Sequence, residues 1–189
     1  RDTVVTRPIT VKSLLELLNS TEIMQKIGLP AGVVNIVAGP SGELGEALNT
    51  SRIPKMITLI GSTETGRQVM AQGATSVKTY SLELGGNAPV IIMEDGDVDQ
   101  AAKLAVGSQV GNSGQTCIGY NRIYVHESRY EEFCQKALEN LKKVTLGAHR
   151  DPGEVVMGPM INKRERDRVL ALIDDAKARG AKVLCGGDI

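Results

Sequence analysis

The chain has 189 residues, room for one large domain or two small ones and enough to bury a core. Its 22 basic and 22 acidic side chains cancel, so no broad field steers it to nucleic acid or an anionic membrane. A content of 41% hydrophobic and 23% charged residues excludes a disordered chain, and 3% aromatics with no Trp excludes a base-stacking platform.

No apolar run approaches the ~18–20 residues of a spanning helix. Three scattered cysteines, Cys117, Cys134 and Cys185, do not make a disulfide framework, and a reduced, cytoplasmic setting fits them. The chain opens on Arg1-Asp2-Thr3 with no signal peptide and stops just after an apparent strand. It reads as an internal portion of a longer protein.

Leu14, Leu15, Leu18, Ile23, Met24 and Ile27 give an apolar stripe at helical spacing, which Gly28 and Pro30 stop. Val33 to Val37 reads as a short buried strand. The glycine-rich turn Gly39 to Gly45 leads into a short helix ending near Asn49. Met56 to Ile60 is a second strand, Gly61 to Gly66 turns it into a helix running to about Ala71, and Val77 to Leu82 is a third. This rhythm predicts an α/β fold with a parallel sheet covered by helices.

Gly85-Gly86 is the predicted domain boundary, because flexible backbone concentrates there, giving segments 1–84 and 85–189. Pro89 to Met93 is then a strand, Val98 to about Gln109 a helix, and Asn121 to His126 a strand. Ser128 and Glu131 have capping-box spacing for a helix to about Val144. Asn162 and Glu165 are placed to cap a helix that ends near Gly180. Lys182 to Cys185 closes as a strand.

Three places carry candidate chemistry. Gly61-Ser62-Thr63-Glu64-Thr65-Gly66 lies between a strand and a helix, where free N–H groups and a dipole can cradle a phosphate; the same pattern also describes an ordinary capped helix start. The Gly39-x-x-Gly42-x-x-Gly45 turn lacks the G-x-G-x-x-G spacing and is the weaker phosphate candidate. Cys117 sits among Gly111, Gly114 and Gly119 and small polar residues, which suits a reactive thiolate, although a small buried hydrophobe is the alternative. Glu83 lies between Leu82 and Leu84; burial there would raise its pKa toward that of a general base, whereas a solvent-facing Glu is the alternative. Cys134 and Cys185 read as packing residues. His126 and His149 belong to no ligand cluster, so no metal site is predicted.

Taken together, these segments resemble the aldehyde dehydrogenase superfamily. Leu82-Glu83-Leu84-Gly85-Gly86 is similar to its glutamate motif, Gly114-Gln115-Thr116-Cys117 to its cysteine motif, and Gly61 to Gly66 to its nucleotide-binding turn. Gly28 to Asn35 and Met157-Gly158-Pro159-Met160-Ile161 also match, so the resemblance covers essentially the whole chain in order.

The resemblance implies a Rossmann-like cofactor domain completed by residues 1–84, followed by the start of an α/β catalytic domain in 85–189. It implies that Cys117 attacks an aldehyde, that hydride leaves the thiohemiacetal for NAD or NADP, and that Glu83 activates water to release the acid from a thioester. The Cys117 N–H would be one oxyanion donor. The second donor would lie before Arg1 and a ribose-binding glutamate after Ile189, so the segment alone is expected to be inactive. Arg7, Thr10, Gly61, Ser62, Gly66 and Leu84 are the implied cofactor residues.

Where the family carries Lys-Pro-x-Glu, this chain has Arg7-Pro8-Ile9-Thr10, which keeps a donor and removes an acidic group that would repel a 2′-phosphate. NADP is therefore expected to be accepted. Asn87 resembles the succinate-semialdehyde dehydrogenase branch, but Gly111 stands where that branch tends to carry a carboxylate-binding Arg. Gly96, in place of a more usual Ala, is expected only to loosen a helix start. The implied partners are a small aldehyde and further copies of the chain, as dimer or tetramer. A CoA-acylating relative and a non-catalytic protein that kept the fold are the competing readings; Glu83 opposes the first, and the pairing of Cys117 with Glu83 opposes the second.

Overall fold

The computed structural model describes residues 4–6, 11–148, 153 and 156–188. Arg7, Thr10 and His149 lie outside the described residues. The chain divides into two compact units between Leu84 and Gly85.

The first unit runs β1 (Val4–Thr6), α1 (Val11–Lys26), β2 (Val34–Ile36), α2 (Ser41–Thr50), β3 (Met56–Gly61), α3 (Thr63–Gly73) and β4 (Thr79–Leu84). β1 pairs with β2 and β3 with β4, both in parallel. A parallel pair needs a crossover, and α1 and α3 are carried in the two crossovers. The α/β architecture with parallel pairing is the one expected.

Side-chain alternation explains how β4 packs. Tyr80, Leu82 and Leu84 share one face and meet α3: a Cβ on Gly66 would lie 3.0 Å from Leu84 Cδ2 and 3.7 Å from Leu82 Cδ1, and one on Gly73 would collide with the Tyr80 hydroxyl. Both glycines are buried. They let the helix settle directly on the strand. Asn49, buried on α2, donates from Nδ2 to Gln72 Oε1 at 2.8 Å and ties α2 to α3.

Two expectations for this unit change. Gly42 and Gly45 lie inside α2, which starts at Ser41, because Leu44 N–H reaches back to the Pro40 carbonyl at 3.1 Å and closes a helical turn. Within the apolar stripe, Leu18 and Ile23 on α1 and Ile27 just past its end are exposed.

The second unit runs β5 (Ala88–Ile92), α4 (Val98–Val110), β6 (Tyr120–Val125), α5 (Tyr130–Leu141) and α6 (Lys163–Ala178). β5 and β6 are parallel, with α4 as their crossover. Val98, Ala102 and Ala105 recur at i, i+4 and i+7 and join Ile92 and Phe133 in the core. Val90, Ile123, Val125 and Ala137 pack around it. Asp97 caps α4 by accepting the Gln100 N–H at 3.0 Å. Gly96 precedes that cap and does more than loosen it: a Cβ there would lie 3.2 Å from both Ile92 Cγ2 and the Met93 carbonyl.

Three further expectations are corrected. Ser128 does not open a capping box. The His126 ring Nδ1 takes the Ser128 N–H and hydroxyl, a single 3-10 turn follows at Glu127–Arg129, and α5 starts only at Tyr130. Lys142 to Val144 continue as turns beyond the end of α5 at Leu141. Lys182 to Cys185 is no strand, since none of the described strands pairs with it. Asn162 does cap α6, accepting the Glu165 N–H at 2.9 Å.

Phe133 is the largest side chain in this core, and it is 8% exposed. Phe133→Ala is expected to cost about 3 kcal/mol through lost burial and an unfilled cavity. Urea unfolding followed by circular dichroism checks it.

Candidate functional site

Cys117 stands at the second position of a four-residue turn, Thr116 to Gly119, closed by Gly119 N–H to the Thr116 carbonyl at 3.1 Å. Its side chain is exposed. A small polar loop with little apolar cover accounts for that, and the alternative of a buried packing cysteine does not hold here.

The approach to this turn is strained. Asn112 (φ 51°, ψ 30°), Ser113 (φ 58°, ψ 35°) and Gly114 (φ 73°) are three successive left-handed residues, and only the last is glycine. Such geometry costs of order 1–3 kcal/mol per non-glycine residue. Side-chain bonds hold it: Asn112 Nδ2 donates to the Gln115 carbonyl at 2.9 Å, and Gln115 Nε2 donates to the Asn112 carbonyl at 3.0 Å. The exit is held by α4, since Gln109 Nε2 donates to the Tyr120 carbonyl at 2.6 Å and Tyr120 N–H donates to Ser108 Oγ at 3.1 Å.

Gly86 approaches from the other side. A Cβ on it would lie 2.9 Å from the Cys117 carbonyl oxygen. Asn121 Nδ2 donates to the Gly86 carbonyl at 3.3 Å, and the Arg122 guanidinium grips the Asn87 carbonyl at 2.9 and 2.6 Å. The second glycine of the pair therefore serves close packing as well as chain flexibility. Beside the turn lies an open depression of about 420 Å³, lined by Leu104, Gly107, Ser108, Gly111, Thr116 and Ile118 among others.

Glu83 belongs to the first unit. It pairs with Ile60 across the β3–β4 ladder and is exposed, on the face of β4 opposite Leu82 and Leu84. Of the two alternatives for Glu83 the solvent-facing one holds, because alternation sends the two leucines to α3 and the carboxylate away from it.

Gly61 ends β3 and Ser62 caps α3. Ser62 Oγ accepts the Thr65 N–H at 3.1 Å and bonds Thr65 Oγ1 at 2.8 Å. Gly61 and Ser62 are exposed, and the N–H groups of Thr63 and Glu64 in the first turn have no acceptor within the helix. This open end can receive an anion. Gly66 is buried against Leu84 and Leu82, so its place is helix-on-strand packing, and Leu84 is its counterpart.

The other cysteines differ from expectation in one respect. Cys185 is exposed rather than packed, and Cys134 is half-buried. A hydrogen bond to Cys134 pushes the Tyr130 hydroxyl above the usual tyrosine range. Elsewhere, a hydrogen bond from Lys103 holds the Asp99 carboxyl below the ordinary carboxylate range, and Arg168 does the same for Glu165. Among the described residues no group of His, Cys, Asp and Glu can hold a metal ion, and no helix is long and apolar enough to cross a membrane.

Gly86, Gln109 and Gln115 are the site residues that the sequence reading undervalued. Gly86 stood in the sequence as half of a flexible pair and the end of the glutamate motif, and Gln115 as a member of the cysteine motif, neither with a contact of its own. Gly86→Ala is expected to displace the Cys117 turn and slow iodoacetamide labelling of Cys117 roughly tenfold. Cys185 should label as before, which mass spectrometry of the labelled peptides checks.

The family model described as the aldehyde dehydrogenase family matches residues 2–189. The chain is 43% identical over 186 residues to a 3,6-anhydro-alpha-L-galactose dehydrogenase of Vibrio sp. (strain EJY3), covering 98% of this chain and 38% of that protein. It is 42% identical over 166 residues to the NADP(+) succinate-semialdehyde dehydrogenase GabD of Escherichia coli (strain K12), covering 88% and 34%. Among solved structures, an E. coli NADP dependent enzyme superposes with a TM-score of 0.92 at 39% identity, over 98% of this chain and 38% of that one. The chain thus spans little more than a third of the length of these relatives.

Proposed function

The chain belongs to the aldehyde dehydrogenase family, and from that premise we propose that the whole protein oxidises an aldehyde to a carboxylic acid with NAD or NADP, using Cys117 as nucleophile and Glu83 as base. The observation that carries this reading is Cys117 itself: an exposed thiol on a turn braced by α4 on one side and by the strained Asn112 to Gly114 segment on the other. A braced, accessible nucleophile keeps its orientation without a further ordering cost.

Residues 1–84 then supply the last part of a cofactor domain and residues 85–189 the first part of a catalytic domain. The open N-terminus of α3 suits a dinucleotide's phosphates, with Gly61 and Ser62 at the point of approach and Gly66 and Leu84 bringing helix and strand together. When bound, the nicotinamide accepts the hydride. Arg7 and Thr10, read from sequence alone, favour acceptance of a 2′-phosphate. An NADP-dependent enzyme among the relatives supports that reading.

Cys117 as thiolate adds to the aldehyde carbon, and its own N–H donates to the developing oxyanion. The thiohemiacetal carbon gives up hydride, leaving a thioester on Sγ. Glu83 takes a proton from water, the resulting hydroxide attacks the thioester carbon, and the thiolate leaves with the acid as product. Small size and carbonyl chemistry define the substrate class, and assembly into a dimer or tetramer belongs to the same reading.

In the full-length protein Cys117→Ala is expected to lower kcat by about 10³-fold or more with dinucleotide affinity retained. Glu83→Gln is expected to leave a burst of reduced cofactor and then stall, with the acyl group on Cys117 detected by intact mass. A ratio of kcat/KM for NADP over NAD of about one or more is expected, and a strong preference for NAD overturns the cofactor assignment. Product release independent of added CoA separates hydrolysis from acyl transfer to a thiol.

A further inference from the structure

The segment just before α6 is bound to the approach of the cysteine turn at two points. Ser113 Oγ donates to the Gly158 carbonyl at 2.7 Å, and Gln115 Oε1 accepts the Ile161 N–H at 3.0 Å. The partners are separated by 45 and 46 residues in sequence. At the same time Gln115 Nε2 donates to the Asn112 carbonyl at 3.0 Å, across the left-handed stretch. One primary amide thus uses its donor to close the strained loop and its acceptor to fasten that loop to a distant segment.

Few side chains can do both. A carboxylate accepts but cannot donate; Met and Leu do neither; Asn has the amide but is one methylene shorter. Only two peptide bonds separate Gln115 from Cys117, and Gln115 itself carries an inverse γ-type bend (φ −83°, ψ 64°) closed by Thr116 N–H to the Gly114 carbonyl at 3.0 Å. Any relaxation of Asn112 and Ser113 toward right-handed dihedrals rotates that bend and the turn that follows.

We propose that Gln115 is a positioning residue, which locks the left-handed Asn112 to Gly114 stretch against the Gly158 to Ile161 segment and so sets the orientation in which Cys117 meets its electrophile. The positioning role rests on the reading of Cys117 as the nucleophile; the lock itself does not. Gln115 touches neither thiol nor substrate in this role. Its removal lowers the rate of attack on a carbon electrophile and leaves the binding of dinucleotide to the first unit unchanged.

The test uses the full-length protein as wild type, Gln115→Glu and Gln115→Met, with unfolding temperature as the check on folding. Two readouts are taken: amide hydrogen exchange in peptides covering 111–120 and 156–162, and the pH-dependent rate of iodoacetamide labelling at Cys117 with exposed Cys185 as internal standard. Gln115→Met is expected to raise exchange in both peptides and slow Cys117 labelling roughly tenfold at every pH, without moving Cys185. Gln115→Glu keeps the acceptor for Ile161, so it is expected to preserve protection of 156–162 and lose it only in 111–120. Unchanged exchange in Gln115→Met overturns the lock. Lost protection with an unchanged Cys117 rate overturns the positioning role and leaves a purely structural contact. Wild-type Cys117 labelling no faster than Cys185 overturns instead the reading of Cys117 as nucleophile, and exchange still judges the lock in that case.

Discussion

The second unit depends on how closely two stretches of backbone approach each other: the carbonyl oxygen of Cys117 lies 2.9 Å from where residue 86 would carry a side chain. A glycine at 86 lets the entry of the unit lie against the cysteine turn, and β6 keeps it there through Asn121 and Arg122. The parallel β5–α4–β6 crossover then brings the end of α4 to the same place, so that Ser108 and Gln109 can hold the exit of the turn. The position of the thiol follows from this meeting of backbones rather than from packing around the sulfur, which is exposed.

Strain and its relief lie side by side. Two non-glycine residues in the left-handed region are expensive, and they are tolerated where Asn112 and Gln115 exchange side-chain and main-chain hydrogen bonds. Both of these side chains are uncharged amides. The first unit uses a different device. Gly66 and Gly73 let α3 sit directly on Leu84, Leu82 and Tyr80, and this face-to-face contact turns Glu83 to the opposite side of the strand. Strand alternation thereby keeps the Glu83 carboxylate exposed.

Much of the fold was legible in advance because it is local. Strand cores, the helix over Val98 to Val110 and the Asn162 cap follow from patterns of two, three or four residues. What was misread depended on competition between neighbours. The His126 ring takes the serine that a capping box would use, and Pro40 closes a helical turn over glycines that look like loop. Lys182 to Cys185 has strand composition, but composition supplies no partner.

The amino-acid order by itself determined the α/β alternation, the segment pairs that become parallel crossovers, and the presence of a cysteine in a polar glycine-rich loop, a glutamate at a strand end and a glycine-flanked helix start. These are properties of composition and short spacing. Only the tertiary structure decided that Gly86 is required by a carbonyl oxygen 31 residues away in sequence, that Glu83 faces outward, and that Gln115 and Ser113 reach Ile161 and Gly158. Those facts arise from atoms far apart along the chain coming within a few ångströms, and no short window of sequence contains both partners.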